Sequence, residues 1–287
     1  MRAIIKKELK CYFTSVIGYI LLAGFVFING MYFSVINVRS GYPDYSYVLG
    51  YAAVIFLIMI PILTMRLFSE ESRQKTDQLL YTAPVKPISI VLGKFFSALL
   101  FLLAALLITC LFPLAISFFG PLPVAKITAT FVGYFFLGAA FIAVGMFISG
   151  LTDNQIVAAF GSFALIFVLY NLHGFASIVP VDTASSVIFI AVLILGLCFV
   201  LFDATKNIYA AAILACFGAI CLFLVYRLNP LLLDGVIYKC LSWFALMTRF
   251  QNFYSGILDL SDLVYYISFC AAFIYLTVSV IEKRRWR

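Results

Sequence analysis

Eight windows without a single charged side chain divide this sequence, at residues 16–36, 48–65, 95–119, 127–151, 155–172, 187–202, 208–226 and 263–281. About 20 mostly apolar residues are enough for a helix to cross the ~30 Å hydrocarbon layer. A charge at the centre of such a helix costs roughly 2.5–3.5 kcal/mol on the insertion scale. The windows therefore read as membrane spans, and the chain as an all-α, polytopic transmembrane helical bundle of about eight spans. Composition agrees: 65% of residues are hydrophobic, only 11% are charged, and the mean hydropathy is +1.14. Average soluble domains carry about 25% charge. That contrast excludes a soluble enzyme, a disordered chain and a nucleic-acid binder. The net charge of +7 belongs to clusters between spans, as expected at an anionic leaflet.

Counting Lys and Arg sets the orientation. With the N-terminus inside and all windows crossing, residues 1–10, 66–94, Lys206 and 283–287 place fourteen of the 19 basic residues on the inner side. Arg39, Lys126, Arg227, Lys239 and Arg249 fall outside. Both termini are thus expected in the cytoplasm. The short turn Asp203–Asn207 between two windows leaves open whether residues 187–226 are two full spans or a re-entrant hairpin. The charge-free stretch 11–38 is about twice the length of a secretory signal core, so the first span is expected to remain uncleaved. Six of the seven cysteines lie in or beside apolar runs without CxxC spacing, and read as small hydrophobes.

Three segments stand apart from the spans. Residues 1–14 set Ile4, Ile5, Leu9 and Phe13 against Arg2, Lys6, Lys7 and Lys10, a basic amphipathic helix suited to an inner leaflet. Residues 66–94 form the longest cytoplasmic connection between spans. Ser69 is placed to cap a helix there, Glu70 and Glu71 suit its first turn, and Pro84 stops it. The expected helix, 69–83, carries both charge signs together with Leu79, Leu80 and Tyr81. Residues 228–260, on the outer side, mix aromatics with charges and are broken by Pro230, Gly235 and Gly256. Short interfacial or re-entrant helices fit that pattern.

Chemistry is sparse. His173 is the only histidine, and neither HExxH, a Walker lysine loop nor a nucleophile elbow occurs, so no catalytic residue and no metal site is expected. Mid-membrane ionisable groups, the usual relays of a proton-coupled carrier, are missing from the windows. Gly145-Met-Phe-Ile-Ser149 is a small-xxx-small pattern that permits close helix approach.

At this point the residues resemble a known family. Glu70-Glu71-x-Arg73-x-x-Thr76-x-x-x-Leu80-x-x-Ala83-Pro84-Val85, followed by Ile90-Val91-Leu92-Gly93-Lys94, is similar to the coupling-helix region of ABC-2 type transporter permeases. Lys7-Glu8-Leu9-Lys10-x-Tyr12-Phe13 resembles the start, and Phe250-x-x-Phe253-x-x-Gly256-Ile257-Leu258-Asp259 the end, of the gliding-motility/nitrous-oxide-accessory branch. The resemblance implies an elbow helix at 1–14 and a cytoplasmic coupling helix at 69–83, with Glu70, Glu71, Arg73, Thr76 and Leu80 facing a separate ATPase. It implies an inner-leaflet anchor at Lys6, Lys7 and Lys10, and an outer re-entrant region holding Phe250, Phe253, Gly256 and Asp259. Its implied partners are an ABC ATPase subunit, a second permease copy or sister permease, and membrane lipids. ATP and Mg would sit on the ATPase, with no cofactor on this chain. The family pattern has six spans, so two of the eight are extra. A multi-pass protein of the bacterial cytoplasmic membrane, acting as an exporter permease, is the resulting expectation. A non-transporting membrane anchor or regulatory subunit of an ATPase or envelope complex is the alternative.

Overall fold

The structure is a computed structural model that describes residues 1–76, 86–180, 182–205, 209, 214, 215, 217, 227 and 234–285. Among the described residues the regular structure is all helix, without a strand. A helix satisfies its own backbone donors and acceptors, which hydrocarbon cannot do. Two compact units are present, residues 1–169 with 246–287, and residues 170–245.

The first unit begins with α1 (Arg2–Thr14), lying before α2 (Val16–Phe33). Ser15 makes the corner: its backbone is extended, and its Oγ accepts from Gly18 N at 3.1 Å, capping α2. A Cβ on Gly18 would lie 1.9 Å from the Tyr12 carbonyl oxygen, so the tight bend requires glycine. A π-helical turn, Ser34–Arg39, completes the first span. The second span is segmented as α3 (Ser46–Ala52), a 3-10 turn and α4 (Phe56–Thr64), and leads into α5 (Ser69–Arg73). The third span comprises α6 (Pro87–Thr109) and α7 (Leu111–Ser117). Its break sits at Thr109 and Cys110 because Pro113 lacks an N–H and its ring crowds the carbonyl four residues back. Then come α8 (Val124–Leu151) and α9 (Gln155–Ile178), whose last turns belong to the second unit.

The second unit holds α10 (Thr183–Thr205) and α11 (Val236–Phe244). The Thr183 hydroxyl donates to the Asp234 carboxylate, joining the start of α10 to the turn before α11. The chain returns to the first unit with α12 (Leu246–Tyr254) and α13 (Leu260–Arg285).

Among the described residues, six helical runs are long and apolar enough to cross a membrane: Val16–Arg39, Ser46–Arg73, Pro87–Ser117, Val124–Leu151, Gln155–Ile178 and Leu260–Arg284. They correspond one to one with six of the eight charge-free windows. The window at 187–202 lies within α10, and the window at 208–226 falls outside the described residues except for Tyr209, Leu214, Ala215 and Phe217.

The hub of the first unit is α8, packed against α3, α4, α6, α12 and α13. Small residues let it approach so many neighbours. A Cβ on Gly133 would fall 2.5 Å from Phe253, and one on Gly145 would fall 2.3 Å from the Thr64 hydroxyl. Ser149, the other end of the small-xxx-small pattern, accepts from the Phe68 and Ser69 amides and donates to the Met65 carbonyl. The motif is therefore the seam between α8 and the end of the second span. Overpacking such a seam costs about 1–3 kcal/mol. Gly133→Ala is expected to lower the thermal midpoint in detergent, whereas Gly24→Ala, with open space around it, leaves it unchanged or slightly raised.

Candidate functional site

The first unit has a strongly basic end. Arg2, Lys6, Lys7, Lys10, Arg66, Arg73, Lys75, Lys86, Lys94, Lys283 and Arg284 gather there, while Arg39, Lys126 and Arg249 occupy the opposite end. The connection that follows the second span lies at the basic end and is fastened on two sides.

On one side is a buried ion cluster. Lys94, on the second turn of α6, is 1% exposed. An ammonium has three donors, and each finds an acceptor here. Glu8 Oε1 lies at 3.0 Å, Glu71 Oε2 at 2.9 Å, and the Leu67 carbonyl oxygen takes the third. The Phe68 ring covers the same nitrogen, with its centre 5.1 Å away. The other Glu71 oxygen accepts from Lys7 at 2.8 Å. Two lysines and two glutamates thus close a neutral network across α1, α5 and α6. The Glu71 bond raises the Lys7 pKa against partial burial, which acts to lower it. Burying an ion costs several kcal/mol, and only close, saturated pairing offsets that. Around the cluster, α1 lays Ile4, Glu8 and Tyr12 toward the bundle. Ile4 rests on Gly93, and the Tyr12 ring lies 5.2 Å from Phe101.

On the other side is a more exposed clasp. Ser72 donates to Asp153 Oδ1 at 2.6 Å, and Arg284 reaches the same oxygen at 2.8 Å and Ser72 Oγ at 3.1 Å. The bond from Ser72, and then the Arg284 guanidinium, hold the Asp153 carboxyl below the usual range, against slight desolvation. Asp153 is 66% exposed, so solvent screens this contact. Its contribution is geometric: it joins the connection to the α8–α9 turn and to the end of α13.

Several expectations change. Ser69 is not the cap of α5; Phe68 holds that position, and the Ser69 hydroxyl donates back to the Met65 carbonyl. The helix starting at Ser69 ends at Arg73, and Lys75 takes a left-handed backbone (φ 56°), so no single helix runs on from Ser69 through Thr76. Residues 77–85, with Leu80, lie outside the described residues. Glu71 is 15% exposed and spent on two lysines, which makes it an anchor of the connection and not part of its surface. Glu70 is half-buried and faces Arg66 at 3.9 Å. Arg73 and Thr76 are exposed. Lys6 and Lys10 are exposed on α1, whereas the Lys7 ammonium turns to Glu71. Lys94, Glu8, Asp153 and Arg284 carry the anchoring and were not singled out as site residues by pattern. The one available signal was Lys94 itself, a lysine set between Gly93 and Phe95 on an otherwise apolar helix.

At the opposite end, α12 turns Leu246, Phe250 and Phe253 into the core. Phe253 packs on Gly133, and its carbonyl accepts from Thr130 at 3.2 Å. Gly256 (φ 90°) closes α12, with Ile257 N bonded to Asn252 O and Gly256 N to Phe253 O. Asp259 accepts from Ser261 N at 2.9 Å, opening α13. Lys126 pairs with Asp44 at 2.6 Å between the rings of Tyr47 and Tyr254. Arg249 and Asn252 both bind the buried Asp262 at 2.7 Å.

The architecture defines a multi-pass α-helical membrane protein whose inter-span connection is braced against the bundle. The chain belongs to the ABC-2 transporter family: the profile of ABC-2 family transporter proteins matches residues 28–227. It is thus a transmembrane permease of an ABC transporter, a family whose members work with an ABC ATPase subunit. No curated protein matches the chain.

Removing one member of a buried pair leaves its partner uncompensated and costs about 3–5 kcal/mol. Lys94→Met and Glu71→Ala are each expected to lose stability on that scale. The double variant is expected to lose less than the two together, because the stranded charge is gone. Thermal unfolding of the four proteins in one detergent measures the coupling; strict additivity would show that the pair does not act as a unit.

Proposed function

We propose that this permease forms the substrate path of an ATP-driven exporter, and that the connection after the second span is where a separate ATPase takes hold. The observation that carries this is the double bracing. Lys7, Glu8 and Lys94 tie Glu71 and Leu67 to α1 and α6. Ser149, Asp153 and Arg284 tie Phe68, Ser69 and Ser72 to α8 and α13. A push on such a segment moves helices on both sides of it together. A solvated linker would absorb the push.

In this reading the exposed run Arg73, Gln74, Lys75 and Thr76 meets the ATPase, with Leu80 adding an apolar contact. ATP and Mg bind the partner, which supplies the differential free energy that biases the permease between its states. The basic end faces the cytoplasm of a bacterial cell, as the positive-inside rule requires, and Lys6 and Lys10 meet the inner leaflet. The closed turn of α12 around Phe250, Phe253, Gly256 and Asp259 faces outward. A second permease, identical or a sister chain, completes the path. The gliding-motility/nitrous-oxide-accessory branch is the assignment favoured by the two end motifs. A non-transporting anchor of an ATPase has the same bracing, and coupled movement of a cargo separates the two.

Reconstituted with its ATPase, the Arg73→Glu variant is expected to keep its thermal midpoint and lose at least half of the permease-stimulated ATP turnover. Glu71→Lys, which adds a third ammonium beside Lys94 and Lys7, is expected to lower the midpoint itself. If Arg73→Glu and Thr76→Trp both leave ATPase binding and turnover intact, the docking assignment is wrong.

A further inference from the structure

A cleft of about 630 Å³ opens at the basic end between α1, the start of α2, the end of α4 and the connection beyond it. Its size lies in the range that holds small-molecule ligands. One part of the lining is polar, including Thr14, Arg66, Glu70 and Gln74. Another part is apolar, formed by Ile17, Leu21, Ile62 and Leu63. Four of the charged groups along it, Lys7, Glu8, Glu71 and Lys94, pair with one another. What remains is Arg66 and Glu70, 3.9 Å apart, too far for a hydrogen bond. Arg66 Nε is buried without a hydrogen-bond partner. The lining thus holds one loose ion pair, whose guanidinium keeps an unanswered donor, next to an apolar wall.

We propose that this cleft binds one zwitterionic phospholipid with a primary-amine head group, a phosphoethanolamine glycerolipid. The phosphate is matched to the Arg66 guanidinium, which presents a fork of donors to phosphate oxygens. The ammonium is matched to the Glu70 carboxylate. An anionic head would satisfy Arg66 and face Glu70 unpaired. A choline head has no N–H to give Glu70. A free phosphate ester would leave the apolar wall unfilled, whereas an acyl chain follows Ile17 and Leu21 along α2, a helix whose Val16, Tyr19 and Ile20 are exposed. The site takes its place from the corner at Ser15, which sets an interfacial helix beside a span and leaves polar and apolar walls facing each other.

The test uses the full chain in mild detergent, stripped of lipid and offered an equimolar mixture of phosphatidylethanolamine, phosphatidylcholine and phosphatidylglycerol. Native mass spectrometry is expected to show one retained phosphatidylethanolamine in preference to the others. A lost charge-assisted hydrogen bond weakens binding about tenfold, so Arg66→Gln is expected to do so. A second readout needs no variant. Cys11 is exposed and lines the cleft, so phosphatidylethanolamine is expected to slow its alkylation in the wild-type protein, read by peptide mapping. Equal retention of all three heads, an alkylation rate indifferent to the lipid, or equal protection by soluble phosphoethanolamine would each overturn the proposal.

Discussion

The ammonium of Lys94 is the point on which the basic end depends. A lysine this deeply buried beside a membrane span is stable only if every donor is answered, and here the answers come from three different segments. Glu8 comes from α1, Glu71 from α5, and the Leu67 carbonyl from the turn after α4. Satisfying one charge therefore fixes α1, the third span and the connection relative to one another. Neutrality is local, since Lys7 supplies the second positive charge for the two carboxylates. Apolar residues of similar size would pack with less desolvation cost. What the ions add is direction: each bond points to one partner, and the register of α1 on α6 follows.

From that anchor the rest of the unit can be followed through α8. Its small residues bring α4, α12 and α13 into close contact, and Ser149 meets the backbone on the far side of the same connection. The connection is thus held between an ionic cluster and a hydroxyl seam. The Asp153–Arg284 clasp adds the end of α13, at a solvent-exposed place where screening keeps it weak. Strong bonds hold the buried face of the connection and weak ones its exposed rim.

Much of this was legible in the residues because hydrocarbon imposes coarse rules. Charge-free windows located all six described spans, the opposition of Ile4 and Leu9 to Lys6 and Lys10 marked α1, and Gly145 with Ser149 marked a seam. The pairing of charges was less accessible. Glu70 and Glu71 look equivalent in sequence, but helical geometry turns one toward Lys94 and leaves the other at the cleft. Ser69 carries a cap signature, yet the Met65 carbonyl one turn earlier takes its hydroxyl. Whether a polar residue caps, anchors or docks depends on which helix lies opposite, and that information is tertiary.

The claim that the braced connection receives an ATPase is tested most directly by photo-crosslinking in native membranes. A photoreactive residue at Arg73 is compared with one at Phe119, which is exposed at the opposite end. The account predicts a crosslink from position 73 to a Walker-motif ATPase, absent from position 119. No ATPase at position 73, or the same crosslink from both positions, would contradict it.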